Sequence, residues 1–230
     1  LILGDSCTVI IPATMDGWTV TTDDATIGKN VKIIGEGTVG TAGTKGADGA
    51  NVTGNCSPGP GGIAGNLGAN GGNAKNVDLT LKIRSLGTMI INVTGGAGGN
   101  GGIGGKGGNG GAAVCSGTSG NLSGTLYGCE AGAGGKGGNG GIGGNGGAGG
   151  NVTVKCSKVG GSSFNIANIT VLNGGGAAGT GGVGGARGNG GQGKTCTLTG
   201  NKVPGAPGQN GVNGANGTAG AAGTKSVVAL

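Results

Sequence analysis

The chain has 230 residues, of which 69 are glycine and three are aromatic, and it carries a formal net charge of +6. So few large apolar side chains exclude a large conventional core, and the absence of histidine excludes Ser-His and Cys-His catalysis. Glycine at this level without a period would indicate disorder, so the fold depends on whether the glycines are periodic.

The N-terminal 34 residues predict short β-strands. The stretches "CTVII", "WTVTT" and "VKII" are rich in β-branched residues. The chain closes on "SVVAL" (226–230), which predicts a further strand. Two strand-like ends are suited to strand addition between neighbouring subunits.

Glycine recurs every third residue in six later runs. Runs 37–49, 59–71 and 205–223 keep one glycine per triplet, whereas 95–113, 134–151 and 179–193 keep two. A period of three is typical of polyproline II and not of an α-helix or a strand. The runs therefore predict six rods that pack on their bare glycine edges and share backbone hydrogen bonds laterally. Rods with two glycine edges are expected further inside.

β-Branched stretches separate these runs. They are "VDLTLKIRS" (77–85), "TMIINVT" (88–94), "NVTVKC" (151–156), "NIANITVL" (165–172) and "KTCTLT" (194–199). Their short joints, such as Leu86 and Gly87, predict hairpins.

The predicted fold is therefore non-α: a six-rod glycine-rich polyproline II bundle combined with a small antiparallel β-sheet or sandwich. The predicted organisation is an N-terminal β segment (1–34), the bundle (35–225) and a C-terminal strand (226–230), in one compact domain. Hairpins at 77–94, 151–172 and 194–203 are inserted in the bundle.

The triplet runs also carry a resemblance. The phrases "TKGADGA" (44–50), "PGAPG" (204–208), "NGVNG" (210–214) and "GTAGAAG" (217–223) resemble the snow-flea (springtail) antifreeze proteins. The same rod bundle is known from glycine-rich tip adhesins of tailed bacteriophages. The resemblance covers about half of the chain and implies six polyproline II rods tied by disulfides.

Six cysteines point to an oxidising, extracellular compartment, because an even count in a chain with a small core predicts disulfides. The candidates are Cys7, Cys56, Cys115, Cys129, Cys156 and Cys196. Fifteen connectivities are possible, and Cys115 with Cys129, across one loop, is the preferred pair. No C-x-x-C pair and no histidine is present, so no metal site is expected.

Asn-x-Ser/Thr sequons agree with secretion and predict glycans. The candidates are Asn51, Asn92, Asn121, Asn151, Asn168 and Asn216. A further sequon at Asn55 precedes "CSP", which disfavours its use. Strand threonines near turn asparagines would create the same motifs without any glycan, and this alternative stays open.

Catalytic and nucleic-acid-binding constellations are not found in the sequence. The adjacent carboxylates Asp23 and Asp24 lie in "TTDDAT", which is typical of a turn. The 14 basic residues are dispersed and lack interleaved aromatics, so nucleic acid is not an expected partner. No apolar run reaches the length of a membrane span. We therefore expect neither an enzyme nor a cofactor.

Three functions remain. The first is a secreted structural subunit of a filament, sheath or surface layer, a homopolymer assembled by strand addition. The second is ice binding through rows of small side chains on outer rods: Thr38, Thr41, Thr44, Ala47 and Ala50, and Ala215, Thr218, Ala221 and Thr224. The third is a receptor-binding adhesin that uses loops between rods, above all 115–129.

Overall fold

A computed structural model describes residues 1–54, 56–115, 128–196 and 200–230. These residues form nine strands and one short 3-10 helix, Ile166–Asn168, and contain no α-helix. In chain order the strands are β1 (Ile2–Leu3), β2 (Thr8–Ile10), β3 (Gly17–Ile27), β4 (Val31–Ile34), β5 (Asn76–Leu86), β6 (Met89–Asn92), β7 (Val152–Lys158), β8 (Ile169–Leu172) and β9 (Lys225–Ala229).

The strands form two sheets. Sheet A has the order β1-β3-β5-β7-β9 and sheet B the order β2-β4-β6-β8, and every pair is parallel. Alternate residues of both sheets face one apolar core, to which Leu79, Ile33 and Val154 belong. Each successive pair of strands, β1 with β2 through β7 with β8, therefore makes one coil of a two-sided stack, and β9 begins a fifth coil.

The expectation of an antiparallel sheet was wrong. The short joint after β5 is a corner between the two sheets and not a hairpin turn, because β5 lies in sheet A and β6 in sheet B. A Cβ added to Gly87 at this corner would overlap the carbonyl of Gly28, which occupies the same corner one coil earlier. Glycine permits this close approach of two backbones.

The hairpins expected at 77–94 and 151–172 are absent for the same reason: their strands pair with strands of the preceding and following coils. At 194–203 there is one isolated antiparallel bridge, between Lys194 and Lys202, and residues 197–199 lie outside the described part. The strand predictions for 77–85, 88–94, 151–156 and 226–230 are confirmed by β5, β6, β7 and β9.

Six glycine-rich segments without helix or strand assignment leave the stack between sheet B and sheet A. We number them in chain order: segment 1 (35–54), segment 2 (56–75), segment 3 (93–115), segment 4 (128–151), segment 5 (173–196) and segment 6 (200–224). Each coil that contains β4, β6 or β8 therefore sends out one segment and receives the next one back.

Backbone hydrogen bonds arrange the segments in two layers. Within the first layer, Gly40 of segment 1 donates to Ala97 of segment 3 at 2.8 Å, and Gly98 donates to Ala177 of segment 5 at 2.9 Å. Segments 2, 4 and 6 form the second layer in the same way, and bonds such as Gly99 to Ala69 join the layers. Segments 3 and 4, with two glycines per triplet, each bond four other segments and occupy the centre.

Most glycines of these segments are needed because a side chain would not fit. A Cβ on Gly99 would overlap the carbonyl oxygen of Thr41, and one on Gly62 would overlap that of Gly105. Among the described glycines only Gly160 and Gly200 have positive φ. Close approach, and not a left-handed backbone, is therefore what the composition provides.

Two disulfides tie the far ends of the segments. Cys56 pairs with Cys129 and Cys115 with Cys196, with Cα–Cα distances of 5.9 and 5.6 Å. The expected Cys115–Cys129 pair was wrong: each bridge instead joins segments that lie next to each other in the bundle. Cys7 and Cys156 are free, and Cys156 is buried in the core of the stack.

Candidate functional site

Sheet A is open at both ends. The two-residue strand β1 covers only Thr26 and Ile27 of β3, so the residues from Gly17 to Thr22 pair with β5 on one side only. At the opposite end β9 pairs with β7, and its other edge has no strand partner in the part of the chain that the structure describes. Unpaired strand edges are templates for pairing with another chain.

Sheet B is open in the same way, because β2 and β8 are its outer strands. Its outward face exposes large aliphatic side chains: Ile10 is 70% exposed and Leu172 46%. A shallow cavity of about 260 Å³ lies on this face and is lined by Ile34, Ile90 and Leu172. Both sheets therefore end in unprotected backbone, and sheet B also carries apolar surface.

The two ends of sheet A differ in charge. Near β3, Asp23 forms an ion pair with Lys82 at 2.7 Å and Asp24 one with Arg84 at 2.6 Å. The hydrogen bond from Arg84 is the main cause that lowers the pKa of Asp24 below its ordinary value. Asp16 adds a third carboxylate there.

At the β7–β9 end the charges are positive. Lys155, Lys158 and Lys225 lie on these strands, and none of them forms an ion pair within the described ranges. Lys82 and Arg84 neutralise Asp23 and Asp24, so Asp16 is the carboxylate near β3 that has no ion pair within the described residues. It is opposite in sign to the lysines of β7 and β9.

The outer surface of segments 2, 4 and 6, which we call the 2-4-6 face, is a regular grid. Gly68 donates to Ile142 and Gly143 to Ala215, so each third residue of one segment lies beside its counterpart on the next. The outward positions are Ala64, Leu67, Asn70, Asn73, Glu130, Ala133, Lys136, Asn139, Ile142, Asn145, Ala148, Val203, Ala206, Gln209, Val212, Ala215, Thr218 and Ala221. Two of these side chains, Glu130 and Lys136, are charged.

Asparagines on this face bond to the neighbouring segment. The Oδ1 atom of Asn70 accepts from the amide of Asn145 at 2.8 Å, and that of Asn145 accepts from Thr218 at 2.9 Å. Four outward amides, those of Asn145, Ala148, Val212 and Thr218, are satisfied in this way by an asparagine oxygen. These side chains are held against the backbone, which makes the face flatter than its composition suggests.

The two predicted threonine and alanine rows are not brought together. Thr38, Thr41, Thr44, Ala47 and Ala50 lie on the narrow edge of the bundle, where Thr44 accepts from the amide group of Asn66 at 2.7 Å. The row Ala215, Thr218, Ala221 and Thr224 lies on the 2-4-6 face and its margin. Only the second row belongs to a broad surface.

The sequon asparagines turn out to have structural partners. Asn51, Asn92, Asn151 and Asn216 each accept a hydrogen bond from a backbone amide through Oδ1. Asn168 lies at the end of the 3-10 helix, and Asn121 lies outside the described residues. Sequence reasoning missed this role, although the recurrence of asparagine at outward triplet positions is its signal. Glycan occupancy stays a prediction.

No group of three metal-ligating side chains occurs within the four described ranges. No helix in this part of the chain is long and apolar enough to cross a membrane. The loop proposed for adhesion, 115–129, falls mostly in residues 116–127, outside the described residues. The adhesin hypothesis therefore stays a prediction.

The chain has a weak structural likeness to a protein of known structure. No family model and no curated protein matches the chain. A springtail antifreeze protein from Granisotoma rainieri, a bundle of nine polyproline type II helices whose crystal waters match the ice lattice, is 22% identical. The match covers 85% of this chain and 97% of that one, with a TM-score of 0.15. A likeness at this level does not show a shared fold.

Proposed function

We propose that the protein is a non-enzymatic extracellular structural subunit that joins copies of itself, through its open sheet ends, into a filament, sheath or surface layer. One observation carries the proposal: within the described residues, the outer strands of both parallel sheets are paired on one side only. An outer strand with a free edge is suited to pair with another copy.

The glycine segments suit the same role as stiff projections. In our proposal they are polyproline II rods, since they repeat every three residues and their backbone hydrogen bonds run mainly from one segment to another. A rod of 18 residues would be roughly 56 Å long at about 3.1 Å per residue. Two disulfides at the far ends, consistent with an extracellular protein, would hold the rods together.

Negative-stain electron microscopy of the purified protein, with sedimentation over a concentration series, tests the proposal. We expect fibres or sheets, and a sedimentation coefficient that rises with concentration. A protein that remains monomeric at high concentration and shows no ordered assembly would contradict this function.

Ice binding is a second candidate, favoured by the 2-4-6 face. Its outward residues recur about every 9.3 Å along each segment if the segments are polyproline II. The asparagines lie against the backbone, and the face carries two charged side chains of opposite sign, Glu130 and Lys136. A flat, weakly charged grid of small side chains can order water over its surface.

A thermal-hysteresis assay with two matched variants tests this candidate. Thr218→Tyr places a bulky ring on the 2-4-6 face, whereas Thr41→Tyr places the same ring on the narrow edge. We expect hysteresis in the natural protein, its loss in the first variant and its retention in the second. No hysteresis and no shaping of ice crystals in the natural protein would remove the candidate.

A further inference from the structure

The free part of β3 and the strand β9 lie at the same level of sheet A. Across the sheet, β9 residues Lys225–Ala229 align with Val152–Cys156 of β7. The β7 residues align with Val77 to Leu81 of β5, which align with Trp18 to Thr22 of β3. The stretch from Trp18 to Thr22 is also the part of β3 that β1 leaves unpaired. A copy added one strand beyond β9 would therefore present an unpaired stretch of matching position and length.

Side-chain alternation agrees with this register. Val20, Leu79, Val154 and Val227 follow one another across the sheet, and Leu79 and Val154 are fully buried. Val20 and Val227, at the two open ends, are only partly buried against the core. Pairing β9 with the next β3 would place Val227 beside Val20 and bury both, whereas a shift of one residue would turn one of them outward.

Sheet B continues at the same junction. The register runs from Thr8 through Lys32 and Ile90 to Thr170, so the outer strand β8 is at the level of β2. In a second copy β2 would follow β8 directly and bring Ile10 beside Leu172. Both are exposed in the single chain, at 70% and 46%. The partner thus covers apolar surface that is otherwise in water.

Strand β1 and an incoming β9 would pair with different parts of β3. Within the described residues β1 pairs at Thr26 and Ile27, beyond the end of a β9 that pairs at Trp18 to Thr22. The β9 of one copy and the β1–β2 unit of the next would together make one complete coil. In length and position it would match the coil formed by β3 and β4.

The glycine segments fit the junction as well. This shared coil sends out no segment, so segments 5 and 6 of one copy lie two strand spacings, roughly 9.6 Å, from segments 1 and 2 of the next. The facing edges carry side chains, among them Thr41 on one and Asn213 on the other, and not the bare glycines found inside the bundle. Because both facing edges carry side chains, they need a wider spacing than the glycine edges inside the bundle, and two strand spacings provide it.

From these observations we infer that a second copy of this chain docks head to tail, with its residues Trp18 to Thr22 pairing in parallel with β9 and its β2 pairing with β8. This inference rests on the proposed structural function and names its partner and register. The contact is heterologous, so it propagates into a linear polymer unless the rotation closes a ring.

Engineered cysteines test the register. Thr21, Thr80, Lys155 and Val228 are aligned across the sheet, so Thr21 of the next copy would lie opposite Val228. Mixing Thr21→Cys protein with Val228→Cys protein under mild oxidation should give disulfide dimers, and the double variant a ladder of polymers. Peptide mapping should find the 21–228 bond.

The matched control is Thr19→Cys mixed with Val228→Cys. Thr19 has the same exposure and faces the same side, but lies two residues away along the strand. The Cα atoms would then be about 8 Å apart, beyond the reach of a disulfide. Filaments without the 21–228 bond, or with an equal yield of the 19–228 bond, would overturn the register and leave the structural function standing. Absence of any assembly would overturn both.

Trp18, the one tryptophan, gives a second measurement on the natural protein. It is half-buried at the open edge and would come to lie beside Lys225 of the neighbouring copy. We expect its emission to shift to the blue and its quenching by iodide to fall as the protein assembles. Assembly with unchanged emission and quenching would contradict pairing at this edge.

Discussion

At the scale of single residues, the fold depends on which triplet positions carry a Cβ. Inward positions contact carbonyl groups of neighbouring segments so closely that only hydrogen fits. Outward positions accept any side chain, and asparagine is useful there because its oxygen satisfies the amide of the next segment. Replacing glycine by a larger residue is therefore tolerated at an outward position and not at the inward position next to it.

Gly61 and Gly62 allow a direct test of this difference. A Cβ on Gly62 would overlap the carbonyl of Gly105, whereas one on Gly61 meets its nearest neighbour, the oxygen of Lys136, at 3.4 Å. We expect Gly62→Ala to lower the free energy of unfolding by about 3 kcal/mol, as overpacking of a filled interior does. Gly61→Ala should leave it unchanged or raise it by about 0.5 kcal/mol, because alanine restricts the unfolded chain. Equal effects in denaturant titrations would contradict the packing.

Asn145 tests the role of the outward asparagines. Its oxygen accepts from Thr218 at 2.9 Å and its own amide donates to Asn70 at 2.8 Å. Asn145→Ala removes the first bond and leaves the second, and should cost about 1 kcal/mol in the free energy of unfolding. Hydrogen exchange should become faster at the Thr218 amide and stay unchanged at the Ala215 amide, and this difference would identify the lost bond. An unchanged Thr218 amide would contradict it.

At the scale of elements, the sequence could predict the repeating units but not their partners. The period of three marks the segments and β-branched alternation marks the strands, because both are local consequences of backbone geometry. Pairing is not local: side-chain hydrogen bonds between neighbouring segments of one layer join residues 58, 75 and 73 positions apart. The joint at Gly87 resembles a hairpin turn in sequence. It is a corner because the chain passes from sheet A to sheet B there and returns to sheet A only through the glycine segments.

The disulfide prediction failed for the same reason. Cys115 and Cys129 flank one loop in sequence. In the bundle, however, Cys115 of segment 3 lies next to segment 5, and Cys129 of segment 4 lies next to segment 2, and each forms its disulfide there. The structural role of the outward asparagines could not be predicted either, because the amides that donate to them lie on another segment.

The Cys56–Cys129 bridge supports a prediction about the segment ends. It closes a loop of 73 residues, for which the chain-entropy model gives a stabilisation of about 4 kcal/mol. Cys56→Ser with Cys129→Ser should lower the free energy of unfolding by an amount of this order. Hydrogen exchange should rise first at Val52 and Gly111, near the far ends, and last at Leu79 in the stack. Uniform loss of protection would contradict local tethering, and Cys7→Ser, which removes a free thiol, is the control.

At the scale of the whole molecule, the arrangement separates two tasks. The stack of coils has the apolar core and the open ends, and the glycine segments have the rigid, hydrogen-bonded projection. A bundle without the stack would have almost no apolar interior, since Ile103, Ile142 and Val183 on the segments are exposed. The sheets thus supply the hydrophobic burial that the segments lack, and their cost is open edges that need a partner.

Charge at those edges gives a prediction for assembly as a whole. In the inferred register Lys225 of one copy faces Trp18 of the next, two residues from Asp16. Attraction between exposed charges is screened as the Debye length falls from about 10 Å at 0.1 M salt to about 3 Å at 1 M. We therefore expect the rate of assembly, followed by light scattering, to fall as salt is raised and to fall in Lys225→Glu at low salt. Mixing Lys225→Glu protein with Asp16→Lys protein should restore the rate of the first contact, because the opposite charges are exchanged and not lost. Assembly that speeds up with salt would instead mean that burial of Ile10, Leu172 and Val227 drives the encounter and that the lysines oppose it.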